Sequence, residues 1–206
     1  MDQGRLSTRQ KLLEVSEGLF ATKGVNATLV GDIVTGAGQR NPSALRYHFG
    51  SREGVLQAIR EKYLNLIEQR RVELLDQWPG QGPTTAEDAV TLAVIPLVEL
   101  LQTEPGRRYL QILGQTMYDI DPDQMKEVSR YPSLARVIDL MRAGMAHVPG
   151  SLVEDRVRGT LLLIAAALAV RARDVANKRH PSSSIIDFQN NVIAMATAIL
   201  AAPIDA

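Results

Sequence analysis

The chain has 206 residues, of which 45% are hydrophobic, and its 23 basic residues balance its 23 acidic residues. A chain of this length and apolar content can bury the core of one large domain or two small domains. It contains no cysteine, which excludes disulfides, thiolate zinc sites and a cysteine nucleophile and fits the reducing cytoplasm.

The apolar runs of the chain predict neither a secretory signal nor membrane contact. The first ten residues lack the apolar stretch of a secretory signal. The longest uncharged apolar run, Gly159 to Val170, is too short for a bilayer because a spanning helix needs about 20 residues. Before position 53, seven basic residues outnumber four acidic ones, so the N-terminal quarter is mildly positive.

The first predicted helix runs from Ser7 to Gly24. Ser7 and Gln10 have the spacing of a capping box, and a glycine commonly follows the end of a helix. Its apolar face recurs at helical spacing and consists of Leu12, Val15, Ser16, Leu19 and Phe20. We expect this helix to be the platform behind the next two.

Two short helices, separated by a turn that contains glycine, are predicted between positions 28 and 52. Thr28 is expected to cap the first of them, and Gly38 helps to end it. Asn41 is expected to cap the second, with Pro42 at its first position, where a missing N–H costs nothing.

The second short helix, Pro42 to about His48, turns only Leu45 and Phe49 toward a core. The small and polar side chains that it leaves facing outward are Ser43, Ala44, Arg46 and Tyr47. Ser51 is expected to cap the helix that follows. A short helix held by a tight turn, with small and polar side chains outward, is typical of a helix-turn-helix reader of the DNA major groove.

Residues 7–56 resemble the DNA-binding domain of the TetR family of transcriptional regulators. The residues that carry the resemblance are Phe20, Lys23, Gly24, Thr28, Ile33, Ala37, Gly38, Tyr47, His48, Phe49, Ser51, Arg52, Glu53 and Leu56. The family commonly shows a Tyr-His-Phe block followed by Lys or Arg and Glu at the next helix start. Between Ile33 and Phe49 this chain is one residue longer than the usual family spacing, with Gln39 and Arg40 in the turn.

The resemblance implies an all-α protein of about nine helices in two domains. Residues 1–52 would form the helix-turn-helix DNA-binding domain, and residues 53–206 a helical effector-binding and dimerisation domain. The fourth helix, predicted over residues 52–78, would join them. Its buried stripe is predicted to comprise Val55, Leu56, Ile59, Tyr63, Leu66, Ile67, Leu74 and Leu75.

Beyond the loop at Pro79 to Pro83, the pattern predicts only further helices. Their expected ranges are 85–103, 107–120, 123–130, 133–147, 151–177 and 185–201. Pro96 is expected to kink the first of these, and Glu104 to Gly106 to end it. Ser151 and Ser184 are the expected caps of the last two.

The last two helices are richer in small and apolar residues than surface helices of a monomer need. One interpretation is an internal core, and the other is a two-fold, four-helix interface between two subunits. The resemblance favours a homodimer. The predicted interface residues are Leu163, Ala167, Val170, Ile193, Ala196 and Leu200.

The middle helices carry soft and polar groups among apolar ones. Such groups often fill a core, but they also line apolar cavities with a few polar anchors. The resemblance implies a pocket for a small-molecule effector here. The predicted effector-binding residues are Trp78, Tyr109, Tyr118, Met145 and His147.

Each reader helix is expected to enter the major groove of double-stranded DNA. The candidates for base edges are Arg40, Asn41, Ser43, Ala44 and Arg46. The candidates for phosphates are Thr28, Tyr47, His48 and Arg52. His48 has a second interpretation, packing at the end of the reader helix.

Together these features predict a bacterial, cytoplasmic regulator without a cofactor, most simply a repressor that a small effector releases from a pseudo-palindromic operator. The alternative is a helical small-molecule-binding protein without sequence-specific DNA binding. An adaptor that acts through protein contacts is a third interpretation. An enzyme is disfavoured because His48, His147 and His180 are far apart and no nucleophile–base, metal-ligand or phosphate-loop motif occurs.

Overall fold

The structure is a computed structural model that describes residues 6–119, 130–179 and 181–204. Nine α-helices and no β-strand occur within these residues, which confirms the all-α prediction. The helices are α1 (Thr8–Lys23), α2 (Val30–Gly36), α3 (Ser43–Phe49), α4 (Arg52–Asp76), α5 (Ala86–Glu99), α6 (Glu104–Thr116), α7 (Pro132–Ala143), α8 (Gly150–Ala176) and α9 (Ile185–Ala201). The helix predicted at 123–130 and the side chain of His180 lie outside the described residues.

The chain divides into an N-terminal unit that ends at Leu64 and a C-terminal unit that begins at Asn65. This division lies inside α4, so the first half of that helix belongs with α1, α2 and α3. The domain boundary predicted from the sequence, between residues 52 and 53, lies at the start of the same helix.

Apolar side chains from four helices form the core of the N-terminal unit. Those with at most 2% of their surface exposed are Leu12, Phe20, Ile33, Leu45, Val55 and Ile59. Glu17 is buried among them, and its carboxylate accepts hydrogen bonds from Lys62 Nζ at 2.7 Å and from the Tyr63 hydroxyl at 3.4 Å. These bonds satisfy a charge that would otherwise be costly to bury.

Three of the predicted helix caps are confirmed. Ser7 and Gln10 form a reciprocal capping box at the start of α1. The Ser51 hydroxyl accepts a hydrogen bond from the N–H of Gly54 at 3.1 Å, and Ser184 caps α9 in the same manner. Each hydroxyl satisfies one of the N–H groups that the first turn of a helix leaves without an intrahelical partner.

Two predicted helix ends are wrong. Residues Glu104–Gly106 do not end a helix but begin α6, because the Thr103 hydroxyl accepts the N–H of Gly106 and Pro105 fits the first helical turn. Helix α8 begins at Gly150, so Ser151 lies within its first turn and does not cap it. In both places the helix begins earlier than the sequence pattern predicts, at Glu104 instead of Arg107 and at Gly150 instead of Ser151.

The C-terminal unit is built around α5, α8 and α9, with α6 packed closely on α8. A Cβ atom added to Gly114 of α6 would lie 2.4 Å from the Cβ of Ala169, so these two small residues allow the close approach. Helix α9 packs on α5 and α8. Across the described residues, no helix is long and apolar enough to span a membrane.

The buried stripe of α4 differs from the prediction at five places, because Leu56, Leu74 and Leu75 are only half-buried, Leu66 is exposed and Arg71 is added. It follows a spacing of four residues and consists of Val55, Ile59, Tyr63, Ile67 and Arg71. Leu66 was expected in the stripe but is 47% exposed, because it lies one position away from this row. Arg71 is the unexpected member, with only 4% of its surface exposed.

Arg71 is buried because it satisfies polar groups that two other helices leave without partners. Pro96 of α5 has no N–H to donate to the carbonyl of Leu92 four residues earlier, and Arg71 Nε donates to that carbonyl at 3.1 Å. Arg71 Nη1 also donates to Glu68 at 3.3 Å and to the Ser133 hydroxyl at 3.2 Å. Burial lowers the pKa of Arg71 to about 10, so the guanidinium remains charged at neutral pH.

The carboxylate of Glu68 completes this cluster at the start of α7. Its oxygens accept the backbone N–H of Ser133 at 2.7 Å and the Ser133 hydroxyl at 2.6 Å. A carboxylate at the N-terminus of a helix is favoured both by the free N–H groups and by the helix dipole. Residues of α4 thus supply the cap of α7 from another part of the chain.

Candidate nucleic-acid interface

Helix α3 presents the outward face that the sequence predicts. Leu45 is 2% exposed and anchors the helix, whereas Ser43, Arg46 and Tyr47 are exposed. Ala44 is half-buried. One apolar anchor on a seven-residue helix leaves most of its surface available for contact with another molecule.

The start of α3 is fixed by the predicted Asn-Pro pair. The side-chain oxygen of Asn41 accepts the N–H of Ser43 at 2.9 Å. Pro42 has φ −56° and ψ −19°, which is already helical, so it fits the first turn. The expectation that Asn41 caps this helix is confirmed.

The end of α3 is fixed by two glycines. Gly50 has φ +76°, a left-handed conformation that side chains disfavour. A Cβ atom added to Gly54, in the first turn of α4, would lie 1.9 Å from the carbonyl oxygen of Phe49. Only glycine therefore allows α4 to approach the end of α3 this closely.

The turn between α2 and α3 spans residues 37–42 and contains the additional residue of this chain. Gly38 adopts φ +68°, and the N–H of Gln39 donates to the carbonyl of Val34 at 2.9 Å. These bonds close the C-terminal end of α2 and leave Arg40 exposed in the turn. The turn therefore carries an exposed basic residue three positions before the start of α3.

Three consecutive aromatic rings form the C-terminal end of α3. Tyr47 is 85% exposed. The His48 ring lies 5.0 Å from that of Tyr47 and 6.3 Å from that of Phe49, both in edge-on geometry. The guanidinium of Arg9 stacks over Phe49, 5.0 Å from the ring centroid. His48, which is half-buried, thus packs between two rings, and its predicted phosphate contact stays a prediction.

An open groove of about 620 Å³ lies where α2, α3 and α4 begin. Its lining includes Leu29, Asn41, Ser43, Arg46, Ser51 and Arg52. The sequence pattern places Leu29 on the apolar edge of α2 with Ile33 and Val34, but Leu29 is 65% exposed at the start of this helix. Its place in the groove was therefore not predicted.

Thr28 does not have the role that the sequence suggested. It is fully buried, and its hydroxyl donates to the carbonyl of Gly24 at 2.7 Å. Leu29, not Thr28, immediately precedes α2, and the carboxylate of Asp32 accepts the N–H of Leu29. The predicted cap is wrong, and a buried hydroxyl with its own partner is not placed to meet a phosphate.

Two of the four cations close to this surface are already paired, and two are not. Lys23 bonds Asp32, and this hydrogen bond holds the pKa of the Asp32 carboxyl below its usual value. Arg52 pairs with Glu53 at 3.0 Å. Arg40 and Arg46 are exposed and form no ion pair with any residue in the described ranges. These two side chains are therefore the most available for an anionic partner.

The five predicted effector-binding residues lie in different environments. Tyr109 and Met145 are buried, with 2% and 1% of their surface exposed. Trp78 is half-buried against the apolar core of the C-terminal unit. Tyr118 is 63% exposed, and His147 is also exposed. The structure therefore does not gather these side chains around one buried point.

The predicted interface residues separate into two groups. Ala196 and Leu200 are fully buried within the subunit itself, because they share with Val192 the face of α9 that packs on its core. Their assignment to a subunit interface is therefore corrected. The remaining residues keep exposed surface: Val170 is 47% exposed, and Leu163, Ala167 and Ile193 are half-buried.

Comparisons with known proteins place this architecture among solved structures. No family model matches the sequence, and no curated protein matches it. NalD, the secondary repressor of the MexAB-OprM multidrug efflux pump in Pseudomonas aeruginosa, is 20% identical, with a TM-score of 0.56 over 92% of this chain and 93% of that chain. A bacterial regulatory protein in the tetR family from Rhodococcus RHA1 is 15% identical, with a TM-score of 0.56 over 95% of this chain and 98% of that chain.

A third solved structure with a similar fold is described as a superantigen. The superantigen PfiT is 18% identical, with a TM-score of 0.51 over 92% of this chain and 95% of that chain. Regulators of the TetR family are not enzymes. Over nearly its whole length, the chain has the fold of the TetR-family transcriptional regulators.

Proposed function

We propose that the protein is a DNA-binding transcriptional regulator, a repressor that binds a pseudo-palindromic operator as a dimer. The observation that carries this proposal is the outward face of α3, where Ser43, Arg46 and Tyr47 are exposed while Leu45 alone anchors the helix. A helix of this kind fits the major groove of B-DNA, which admits an α-helix.

The proposed base contacts come from the start of α3 and the turn before it. They are Arg40, Asn41, Ser43, Ala44 and Arg46. Arg46 is suited to the O6 and N7 atoms of guanine, and Ala44 to the methyl group of thymine. Tyr47 and His48 are the proposed phosphate contacts. The free charges of Arg40 and Arg46 support this assignment, since neither is neutralised by a described carboxylate.

A dimer is proposed because one short helix reads few base pairs. Two copies about 34–36 Å apart would address both halves of a pseudo-palindrome. The proposed interface is the exposed apolar surface of α8 and α9, around Leu163, Ala167, Val170 and Ile193. Val170 supports this proposal, since 47% of its surface is exposed at the end of the uncharged apolar run of α8.

An effector site is proposed in the C-terminal unit, near Trp78, Tyr109, Tyr118, Met145 and His147. The ligand would be a small apolar or amphipathic molecule. Because Tyr109 and Met145 are buried, a ligand would reach them only in a conformer in which the surrounding helices separate. Binding that conformer more tightly would release DNA through a coupling of about 1–3 kcal/mol.

The test is selection of bound fragments from genomic DNA, followed by fluorescence anisotropy with the selected duplexes. We expect a pseudo-palindromic consensus and affinity that falls steeply with salt. Arg46→Ala should weaken binding to the selected site by about 1–3 kcal/mol and relax its sequence preference. An equal loss on all sequences would instead make Arg46 a phosphate contact.

The second candidate is a helical small-molecule-binding protein without sequence-specific DNA binding. The fold alone does not separate this candidate from the regulator, because one fold can carry different functions. This candidate predicts no enrichment of any sequence and no duplex binding at low salt. Enrichment of one motif in independent selections would exclude it.

A further inference from the structure

Arg52 lies beside the groove at the start of α4, yet its guanidinium is directed to the protein. Nη1 lies 3.0 Å from the carbonyl oxygen of Val25, 3.3 Å from that of Asn26 and 3.4 Å from that of Thr28. These carbonyls belong to the chain that connects α1 to α2. Arg52 therefore ties the first turn of α4 to the segment that leads into α2.

The other nitrogens of Arg52 are also occupied. Nε donates to the carboxylate of Glu53 at 3.1 Å, and Nη2 lies 3.0 Å from the same carboxylate oxygen as its ion-pair partner. A guanidinium has five N–H donors in a fixed plane, so little donor capacity remains for another partner. Only 26% of the side chain is exposed.

Glu53 also reduces the attraction of Arg52 for an anion. Hydrogen bonds from its own backbone N–H and from the Ser51 hydroxyl hold the pKa of the Glu53 carboxyl below its usual value, so it is charged at neutral pH. A negative charge in contact with the guanidinium opposes the approach of a phosphate. Both the hydrogen bonds and the ion pair of Arg52 therefore hold its guanidinium against the protein.

The geometry points to Arg52 as a positioning residue that holds the entry of α2 against α4, rather than as a phosphate contact. This inference rests on the proposed DNA-binding function. In this role Arg52 would hold Leu29 and the start of α2 in place along the groove, next to the start of α3. The role requires the planar fork of a guanidinium, because a lysine ammonium is a single point that cannot reach three carbonyls and a carboxylate together.

The experiment uses the full chain and a fluorescent duplex of mixed sequence, about 30 base pairs long, titrated over a range of KCl concentrations. Wild type is compared with Arg52→Lys, Arg52→Gln and Arg46→Gln. Amide hydrogen exchange of residues 25–30 is measured on the same proteins. Unchanged exchange in α1, which belongs to the same unit as Arg52, shows that this unit remains folded in each variant.

We expect Arg52→Lys and Arg52→Gln to weaken DNA binding alike, roughly tenfold, with the salt slope of wild type. Exchange of residues 25–30 should become faster in both. Arg46→Gln, which removes a free cation but none of the hydrogen bonds of Arg52, should instead leave that exchange unchanged.

Two results would overturn the inference. One is wild-type binding by Arg52→Lys together with a slope lowered by about 0.9 in Arg52→Gln, which would identify a phosphate contact. The other is wild-type exchange of residues 25–30 in both Arg52 variants. If wild type itself binds no duplex at low salt, the regulator proposal fails, and the exchange measurement still decides whether Arg52 holds this segment.

Discussion

At the scale of single residues, Gly54 has the tightest environment at the candidate interface. An added Cβ would lie 1.9 Å from a backbone oxygen, that of Phe49, which cannot swing aside as a side chain would. Alanine normally stabilises a helix relative to glycine by about 1 kcal/mol. At position 54 the contact with Phe49 should make the same substitution destabilising.

Gly54→Ala should lower the free energy of opening of the N-terminal unit by about 1–3 kcal/mol, because α4 must move away from the end of α3. The matched control is Gly31→Ala in α2, where nothing lies within 4 Å of the added Cβ. That change should raise the stability by up to about 1 kcal/mol. Amide exchange of the N-terminal unit measures both, and equal stability of the two variants would contradict the rigid contact.

Asp88 makes the stability of the C-terminal unit sensitive to acid. Its carboxylate accepts the N–H of Thr84 and that of Thr85, each at 2.9 Å, and these bonds hold the pKa of Asp88 below its usual value. A carboxyl whose pKa is lowered by folding adds stability above its unfolded pKa of about 3.9 and loses it as the pH falls through the folded value.

Asp88→Asn should therefore cost about 0.5–1 kcal/mol at neutral pH and flatten the loss of stability in acid. The control is Glu87→Gln, which removes a neighbouring charge from the same first turn but none of these bonds. Urea unfolding at several pH values provides the measurement. If the stability of Asp88→Asn falls in acid as steeply as that of the wild type, the Asp88 carboxylate is not the cause of the acid sensitivity.

At the scale of helices, Arg71 donates to the Leu92 carbonyl the hydrogen bond that Pro96 cannot donate. Arg71→Met should cost about 3–5 kcal/mol, because it leaves the Leu92 carbonyl and the Glu68 carboxylate without their buried donor. In a Pro96→Ala background the cost should be smaller by about 1 kcal/mol, since the alanine N–H can reach the Leu92 carbonyl.

The control for this cycle is the adjacent Arg70→Met. Arg70 is partly exposed and pairs with Glu99 at 2.8 Å and Glu73 at 3.0 Å, so its removal should cost less than about 1 kcal/mol. Equilibrium unfolding of the four proteins of the cycle measures the coupling. Strict additivity of Arg71→Met and Pro96→Ala would mean that the two residues are not linked through Leu92.

Three helix starts with a serine cap were predictable from the sequence, whereas the predicted caps Thr28 and Ser151 were wrong and buried polar partners were not predicted. Ser7, Ser51 and Ser184 were identified because a hydroxyl before an apolar-periodic segment has a local partner three residues later. The partners of Arg71 lie on α5 and α7, far along the chain, so no local pattern identifies them. Its place in the four-residue row of α4 was the only sequence signal that it would be buried.

The candidate interface was predicted more fully at α3 than around it. Leu45, Arg46 and Tyr47 follow directly from helical periodicity. The roles of Thr28 and Arg52 depend on carbonyls in the preceding loop, whose placement requires the folded backbone. For the same reason Ala196 and Leu200 were assigned to a subunit interface, since an apolar helix does not show from its sequence which face its own core covers.

At the scale of the whole molecule, the proposed dimer depends on an apolar surface that the subunit leaves uncovered. Val170→Lys should weaken dimerisation at least tenfold, about 1.4 kcal/mol, by placing a charge in that surface. Val72→Lys is the matched control, because Val72 is similarly exposed, at 44% against 47%, but lies on α4. Sedimentation equilibrium measures both variants, and equal dissociation constants would exclude this part of α8 from the interface.

The hydrogen bond that Arg71 of α4 donates to Leu92 of α5 in place of Pro96 also has an evolutionary consequence. Among relatives of this chain, a proline at the position of Pro96 and a long basic side chain at that of Arg71 should be inherited together. A lineage that replaces the proline by an ordinary helix former frees the arginine position to become apolar, and the reverse order of changes would pass through an unstable ancestor. Covariation of these two positions among divergent relatives would identify the proteins that share this contact between the two helices.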